Sequence, residues 1–279
     1  MTTTYTPATP IWCAGCGHFG VQAVMLGALR ELGIPAHEVI VLAGIGCSGT
    51  IQNNLGTYGY HALHGRVLPT ATGVHLANPE LTVIATGGDG DGYAIGMGHL
   101  VHTFRRNPSF AYVVMNNGVY GLTKGQNSPT AHEERSALEF DAVSLGLSIP
   151  GTTFVARGFA RWTDQLHRLT VAAIEHARAR RGFAFLEVLS PCVTYNDTYP
   201  AWEATLHDLD ADPDHDATDR AAAFRALSTL GAEGRMAVGL IYRNATMGPA
   251  GVPTNSATQD VTPEANAEAY ARLLSAYVV

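Results

Sequence analysis

No apolar run approaches the length that a helix needs to cross a bilayer, so a membrane-spanning class is not expected. Charge is scarce: Asp, Glu, Lys and Arg make up 15% of the 279 residues. The net charge of −7 supplies no basic field, which argues against nucleic acid as a partner. The opening stretch MTTTYTPATP lacks both a positive n-region and an apolar h-region, so it reads as no secretory signal and a cytoplasmic location is expected. Internal repeats are absent. Cysteine is limited to Cys13, Cys16, Cys47 and Cys192. In a cytosolic protein such a set points to metal or redox chemistry before disulfides.

Apolar residues, at 46%, suffice for a large core and extensive subunit contact. The pattern predicts an α/β fold, a parallel sheet flanked by helices, over residues 1–200. Residues 201–279 are expected to form an irregular C-terminal extension used for partner docking. In that extension Asp208 to Asp219 reads as an acidic exposed excursion. Arg220 to Leu230 and Pro263 to Tyr277 read as helices, and Ala237 to Tyr242 as a strand.

The organising stretch runs from Leu81 to Thr130. Leu81 to Ala85 is short, apolar and β-branched, hence a buried strand. Gly87 to Gly92 follows it, four glycines around two aspartates. Such a turn turns backbone N–H groups toward a phosphate and sets a carboxylate beside it. Ala94 to Phe104 is expected as a crossover helix and Ala111 to Met115 as a second buried strand, ending in Asn116-Asn117. A strand, a crossover and a parallel strand bring both polar tips to one sheet edge. Asp89 and Asn117 can therefore meet at one ion, and their oxygen donors suit Mg2+.

Three further features bear on that edge. Val39 to Ala43 reads as a strand running into Gly44-Ile45-Gly46-Cys47-Ser48-Gly49-Thr50, a second phosphate cradle with a cysteine inside it. Trp12-Cys13-Ala14-Gly15-Cys16-Gly17-His18 is a CxxC knuckle before a helix over Phe19 to Leu32. Gly182 to Leu189 is the last clear strand and delivers Ser190-Pro191-Cys192 at its end. The resulting spacing, C-x2-C-x30-C-x144-C, has one knuckle and two distant single cysteines, one of them in the phosphate loop. Structural zinc sites usually pair two knuckles, whereas an electron-carrying iron–sulfur centre gains from proximity to a cofactor. Zinc stays open as the alternative. His64, in LHGR, reads as a phosphate-side hydrogen-bond donor. Helices are also expected over Ala71 to Leu76, Glu133 to Gly146 and Phe159 to Arg181, with a short strand at Thr153 to Ala156.

Gly88-Asp89-Gly90 followed after 25 residues by Asn116-Asn117 looks like the diphosphate–Mg2+ signature of thiamine diphosphate enzymes. Together WCAGCGHFG, GIGCSGT, LHGR, GGDGDG and NNGVYGLTKGQNSPT resemble the β subunit of 2-oxoacid:ferredoxin oxidoreductases, the CoA-acylating family. The resemblance is dense from Trp12 to Pro129 and looser from Ser190 to Asn196. It implies a thiamine diphosphate-binding fold and a 4Fe–4S cluster on Cys13, Cys16, Cys47 and Cys192. It implies Mg2+ on Asp89, Asn117 and the backbone carbonyl of Val119. Cofactor contacts would come from Ile45, Gly46, Cys47, Ser48, His64, Gly90, Asp91, Gly121 and Leu122.

The implied reaction is oxidative decarboxylation of a 2-oxoacid, of the 2-oxoglutarate or pyruvate type, to an acyl-CoA and CO2, or its reverse. Electrons would pass through the cluster to ferredoxin. The implied partner is an α subunit, in an (αβ)2 assembly, which would bring the carboxylate that activates thiamine. His64 and Thr50 are the candidate catalytic positions. Thr50 stands where many members carry Lys or Arg, so the pairing of a substrate carboxylate there is lost. The alternatives are a non-oxidative thiamine diphosphate decarboxylase or ligase with structural zinc, and a silent scaffold subunit.

Overall fold

The computed structural model describes residues 5–131 and 140–244, with isolated positions beyond (246, 248, 267, 271, 272 and 275). Its frame is an eight-stranded sheet. Strands β1 (Val39–Ala43), β2 (Tyr58–His61), β3 (Thr82–Gly88) and β4 (Ala111–Asn116) build one half. A two-stranded hairpin, β5 (Val119–Tyr120) with β6 (Gln126–Asn127), stands apart from the sheet. Strands β7 (Phe154–Phe159), β8 (Ala184–Leu189), β9 (Leu206–Asp208) and β10 (Met236–Arg243) complete it. The spatial order is β2-β1-β3-β4-β8-β7-β10-β9. Every pairing is parallel except that of β10 with β7. β4 and β8 sit centrally, and every residue of both is buried. That is why AYVVM and AFLEVL are near-continuous apolar runs rather than alternating ones.

Helices cover both faces. α1 (His18–Glu31) and α5 (Thr163–Arg178) pack on one, with Met25, Leu29, Leu166 and Ile174 facing Val41, Val113 and Leu186. α2 (Val67–Ala77), α3 (Met97–Arg106), α4 (Ala142–Ser148) and α7 (Arg220–Ala232) cover the other, over Phe104, Tyr112, Phe183 and Phe185. A short α6 (Tyr199–Thr205) precedes β9. Gly33, at φ +62°, ends α1 with its N–H on the Arg30 carbonyl.

Several boundaries differ from the sequence expectation. The helix expected from Phe159 begins at Thr163, because Phe159 is buried and pairs with Leu189 as the last residue of β7. The crossover does not start as a plain helix: Gly90–Ile95 forms a wide π turn, and α3 follows Gly96. Of the helix expected over Glu133 to Gly146, residues 132–139 lie outside the described residues. The described part starts after Asp141, whose carboxylate caps the Val143 and Ser144 amides. Tyr58–His61, unassigned to a strand from sequence, is the exposed edge strand β2.

Past residue 200 the chain returns to the sheet through β9 and β10. Within Asp208 to Asp219, Leu209 is buried, because β9 feeds directly into the turn that carries it. The strand expected at Ala237 to Tyr242 and the helix from Arg220 are present. The helix expected over Pro263 to Tyr277 falls almost wholly outside the described residues. Among the described residues no helix is long and apolar enough to cross a membrane.

Candidate cofactor and metal site

Parallel pairing places the C-terminal ends of β1, β3, β4, β7 and β8 at one edge, and the expected site residues follow those ends. A cleft of about 130 Å3 opens there. Ile45, Gly46, Cys47 and Ser48 line it after β1; Asp89, Gly90 and Asp91 after β3; Asn117, Val119, Gly121 and Leu122 after β4; His64 joins them from the β2–α2 connection. All of the residues expected at the diphosphate, the thiazolium and Mg2+ therefore meet in one place. Another cavity, of about 150 Å3, lies at the opposite sheet edge against His75, Glu80, Ser109, Arg178 and Arg180. None of the glycine-rich loops reaches it, so volume alone does not choose the site.

Asp91 organises the cleft from within. Its Oδ1 accepts from the Ile45 amide at 2.9 Å, the Gly65 amide at 2.8 Å and His64 Nδ1 at 2.7 Å. Because the carboxylate only accepts, Nδ1 carries the proton and Nε2 is the His64 nitrogen left for a ligand. The other Asp91 oxygen is buried with no hydrogen-bond partner among the described residues. A Cβ on Gly44 would run into that carboxylate, so the phosphate cradle must start with glycine. Gly90 is equally constrained, because its Cβ would enter the Tyr120 ring. These glycines let the β1, β3 and β4 loops close on one another.

Asp89 is 1% exposed. Burial raises its carboxyl above the usual aspartate range, while hydrogen bonds from Ser128, Thr130 and the Asn117 amide pull the other way. The Thr130 hydroxyl lies 2.6 Å from Oδ2, and the Asn117 amide 3.4 Å from Oδ1. Among the described residues no lysine or arginine lines the cleft beside this buried carboxylate, a setting that suits a bound cation. The Asn117 side chain accepts from the Val119 amide at 3.1 Å, and its carbonyl accepts from Asn196 Nδ2 at 2.9 Å. Gly118, at φ +67°, makes the turn between them. The donor set of Asp89, Asn117 and the Val119 carbonyl is all oxygen and fits Mg2+ with diphosphate completing the shell.

The four thiols converge beside this cleft. A Cβ on Gly121 would lie 3.6 Å from both Cys47 Sγ and Cys192 Sγ, so these sulfurs flank the backbone of the cofactor loop. The CxxC knuckle docks on the exit of β8, with the Gly17 amide on the Pro191 carbonyl at 3.1 Å. Burial raises the Cys16 thiol to about 11, and the Cys192, Cys47 and Cys13 thiols push in the same direction. All four cysteines are free, and Cys13 is exposed. Among the described residues no group of three His, Cys, Asp or Glu side chains is gathered closely enough to hold a single metal ion.

Thr50 is placed differently from the other expected residues. Its hydroxyl donates to the Cys47 carbonyl at 3.0 Å, and it does not line the cleft. Three supporting residues had no assigned role in the sequence reading: His18, Thr130 and Asn196. His18 lines the cleft, is 1% exposed, and places Nδ1 2.6 Å from Ser190 Oγ. Burial lowers its pKa to about 4, so the ring is neutral. Its place directly after the CxxC knuckle was the available signal.

Comparison with known proteins agrees with this geometry. Residues 44–188 match the family model of the thiamine pyrophosphate enzyme C-terminal TPP-binding domain. Residues 192–249 match the C-terminal region of the pyruvate ferredoxin oxidoreductase β subunit. The 2-oxoacid:ferredoxin oxidoreductase 1 β subunit of Aeropyrum pernix is 41% identical over 84% of this chain and 77% of its own length. The chain belongs to the β-subunit family of 2-oxoacid:ferredoxin oxidoreductases. The corresponding β subunit of Saccharolobus solfataricus is 43% identical over 74% of this chain and 70% of its own. A solved 2-oxoglutarate:ferredoxin oxidoreductase from Magnetococcus marinus, with 2-oxoglutarate, coenzyme A and succinyl-CoA bound, is 33% identical, with a TM-score of 0.83. The match covers 96% of this chain and 94% of that one. For this β subunit the thiamine pyrophosphate model spans β3, the Asp89 turn, β4 and the Asn117 turn.

Proposed function

We propose that this β subunit carries the thiamine diphosphate, Mg2+ and 4Fe–4S centres of an oxidoreductase that converts a 2-oxoacid and CoA to an acyl-CoA and CO2, or runs the reverse. The carrying observation is that the Cys47 thiol sits in the same cleft as the Asp89–Asn117 pair. Bound there, thiamine diphosphate supplies an electron sink for the carbonyl carbon of a 2-oxoacid, and an iron–sulfur cluster supplies one-electron removal toward ferredoxin. Gly46 and Ser48 would present backbone and hydroxyl donors to the diphosphate, while Ile45, its amide held by Asp91, would fix the loop beside it. His64 would offer Nε2, with Asp91 fixing the ring. Asp89, Asn117 and the Val119 carbonyl would hold Mg2+. Gly90, Gly121 and Leu122 would shape the cleft at the thiazolium side.

Cys13, Cys16, Cys47 and Cys192 would each take one iron. A tetrahedral zinc with Zn–S bonds of about 2.3 Å needs four sulfurs much closer together than a four-iron cluster does. The absence of a tight three-ligand group among the described residues therefore favours the cluster over structural zinc. Among the described residues the carboxylates lining the cleft are Asp89 and Asp91, and both are already engaged. The carboxylate that activates thiamine would then come from an α subunit, in a cytoplasmic (αβ)2 complex. With Thr50 turned to the Cys47 carbonyl, a dicarboxylate such as 2-oxoglutarate would find its second charge met by that partner.

Anaerobic purification with the α subunit, followed by iron and sulfide analysis and dithionite reduction, tests the reading. About four iron and four sulfide per β chain, a chromophore that bleaches, and 2-oxoacid- and CoA-dependent ferredoxin reduction are expected. One zinc and no chromophore would establish the non-oxidative enzyme instead.

A further inference from the structure

Below the metal edge lies a buried polar chain that the reading above does not use. Strand register sets Glu187 of β8 beside Arg157 of β7 and, across β4, opposite Val114. Asn116, two residues further along β4, is therefore on the same face as Glu187. Glu187 is 1% exposed and Arg157 6%. Arg157 Nε donates to Glu187 Oε2 at 2.5 Å, and Nη2 donates to Asp141 Oδ1 at 2.5 Å. Glu187 Oε1 accepts from the Tyr93 hydroxyl at 2.8 Å and from Asn116 Nδ2 at 3.2 Å. A buried ion pair is weak evidence for stability, since its desolvation cost rivals its attraction. Its location suggests another use.

The use follows from donor and acceptor roles. Glu187 can only accept, so the Asn116 amide must turn its NH2 toward it. Asn116 Oδ1 then points the other way, where it accepts from the Gly118 amide at 3.1 Å and lies 2.8 Å from the Thr130 hydroxyl. The same hydroxyl lies 2.6 Å from Asp89 Oδ2. Thr130 has one proton for these two acceptors, and a metal-binding Asp89 carboxylate takes it, so Asn116 reaches the metal ligands through the Gly118 turn to Asn117.

Resting on the Mg2+–diphosphate reading, we propose that Glu187 and Arg157 are positioning residues for the metal, acting through the orientation of Asn116. Mg2+ demands near-ideal octahedral geometry, whereas Ca2+ accepts looser shells. Loosening Asn116 therefore harms Mg2+ selectively. In Glu187→Gln the arginine draws the amide oxygen, leaving an NH2 group facing Asn116 Nδ2, and the Asn116 amide loses its fixed orientation.

The test is titration of Mg2+ and of Ca2+ into the anaerobically purified αβ complex at saturating thiamine diphosphate, read by calorimetry. For Glu187→Gln we expect a 10- to 100-fold weaker Mg2+ affinity, the size usual for partners of metal ligands, with Ca2+ affinity falling less than about threefold. Asp141→Asn keeps the helix cap and touches only the far end of Arg157. It should stay within about twofold of wild type for both ions. Equal loss for both ions, no loss, or an Asp141→Asn variant matching Glu187→Gln would overturn the proposal in favour of a purely structural network. If Glu187→Gln does not fold, Asn116→Asp, which sets an acceptor against Glu187, must lower the Mg2+-to-Ca2+ ratio; an unchanged ratio overturns the proposal. A wild-type complex that takes up neither thiamine diphosphate nor Mg2+ would instead defeat the functional reading.

Discussion

His64 Nδ1 stands 2.7 Å from Asp91 Oδ1, the same oxygen that receives the amides of Ile45 and Gly65. One buried carboxylate oxygen thereby ties the phosphate cradle, the LHGR turn and the wide turn after β3. Asp91→Ala should raise the dissociation constant of thiamine diphosphate by about 10- to 100-fold, because two loop amides and the histidine lose their common anchor. His64→Ala should have a smaller effect. Since both residues act through one contact, a double-mutant cycle on cofactor affinity should return a coupling of about 1–3 kcal/mol. Strict additivity would show that the two residues contribute independently.

Asp89 carries a pH signature. Its folded-state carboxyl is raised by burial, so the native protein without cofactor holds a proton that the unfolded chain has released. In that window, above the ordinary aspartate range, stability falls as pH rises. On the proposed reading, Mg2+ binding would require the carboxylate and release the proton. Stabilisation by Mg2+ with thiamine diphosphate should therefore grow with pH through the same window, as measured by the difference in Tm with and without both. In Asp89→Ala that difference should vanish, while the cofactor-free protein loses its pH-dependent decline. A cofactor-free Tm profile that Asp89→Ala leaves unchanged across this window would contradict the assignment.

The strand–turn units after β3 and β4 were legible because buried parallel strands leave continuous apolar runs and their turns carry Gly, Asp and Asn. The cysteines were legible because the parallel order sends Cys47 and Cys192 to the same edge. Other parts had no local signature. Asp91 was expected to touch the cofactor, and only tertiary structure shows that its partners are Ile45, His64 and Gly65. Thr50 looked substrate-facing by position, yet the helical turn after Gly46 spends its hydroxyl on the Cys47 carbonyl. The edge strand Tyr58–His61 is exposed at all four positions, so it lacks the apolar pattern by which strands are recognised.

Away from the cofactor edge, His176 sets an acid limit. It is fully buried, with Nε2 3.0 Å from Thr153 Oγ1 and its ring 5.3 Å from that of Phe154. Burial lowers its pKa to about 4, aided by Arg243 and Arg181. The unfolded chain protonates this imidazole near pH 6.5 and the native protein does not. Stability should thus fall as pH drops from about 6.5 to about 4, by roughly 3 kcal/mol in total. Buried His18 carries a similar shift, so His176→Gln should remove about half of the histidine-linked slope in denaturant melts across this range. A slope unchanged by the substitution would place the acid sensitivity elsewhere.

The proposed cluster and Mg2+ sites both border the Gly121 loop but would share no ligand, so the two centres should be separable. Cys192 enters from the end of β8, and its backbone bridges to Asn196 rather than to the Asp89 turn. Cys192→Ser should lower iron and sulfide content sharply and abolish electron delivery to ferredoxin. Thiamine diphosphate affinity with Mg2+ should change by less than about fivefold, because Asp89, Thr130 and Asn117 keep their hydrogen bonds. Asp89→Ala should do the converse, retaining the chromophore while losing the cofactor. If Cys192→Ser also lost thiamine diphosphate at saturating Mg2+, the cluster would have to serve as a structural clamp on the Gly121 loop as well as an electron path. The Cys47 and Cys192 sulfurs on either side of Gly121 would be the jaws of that clamp.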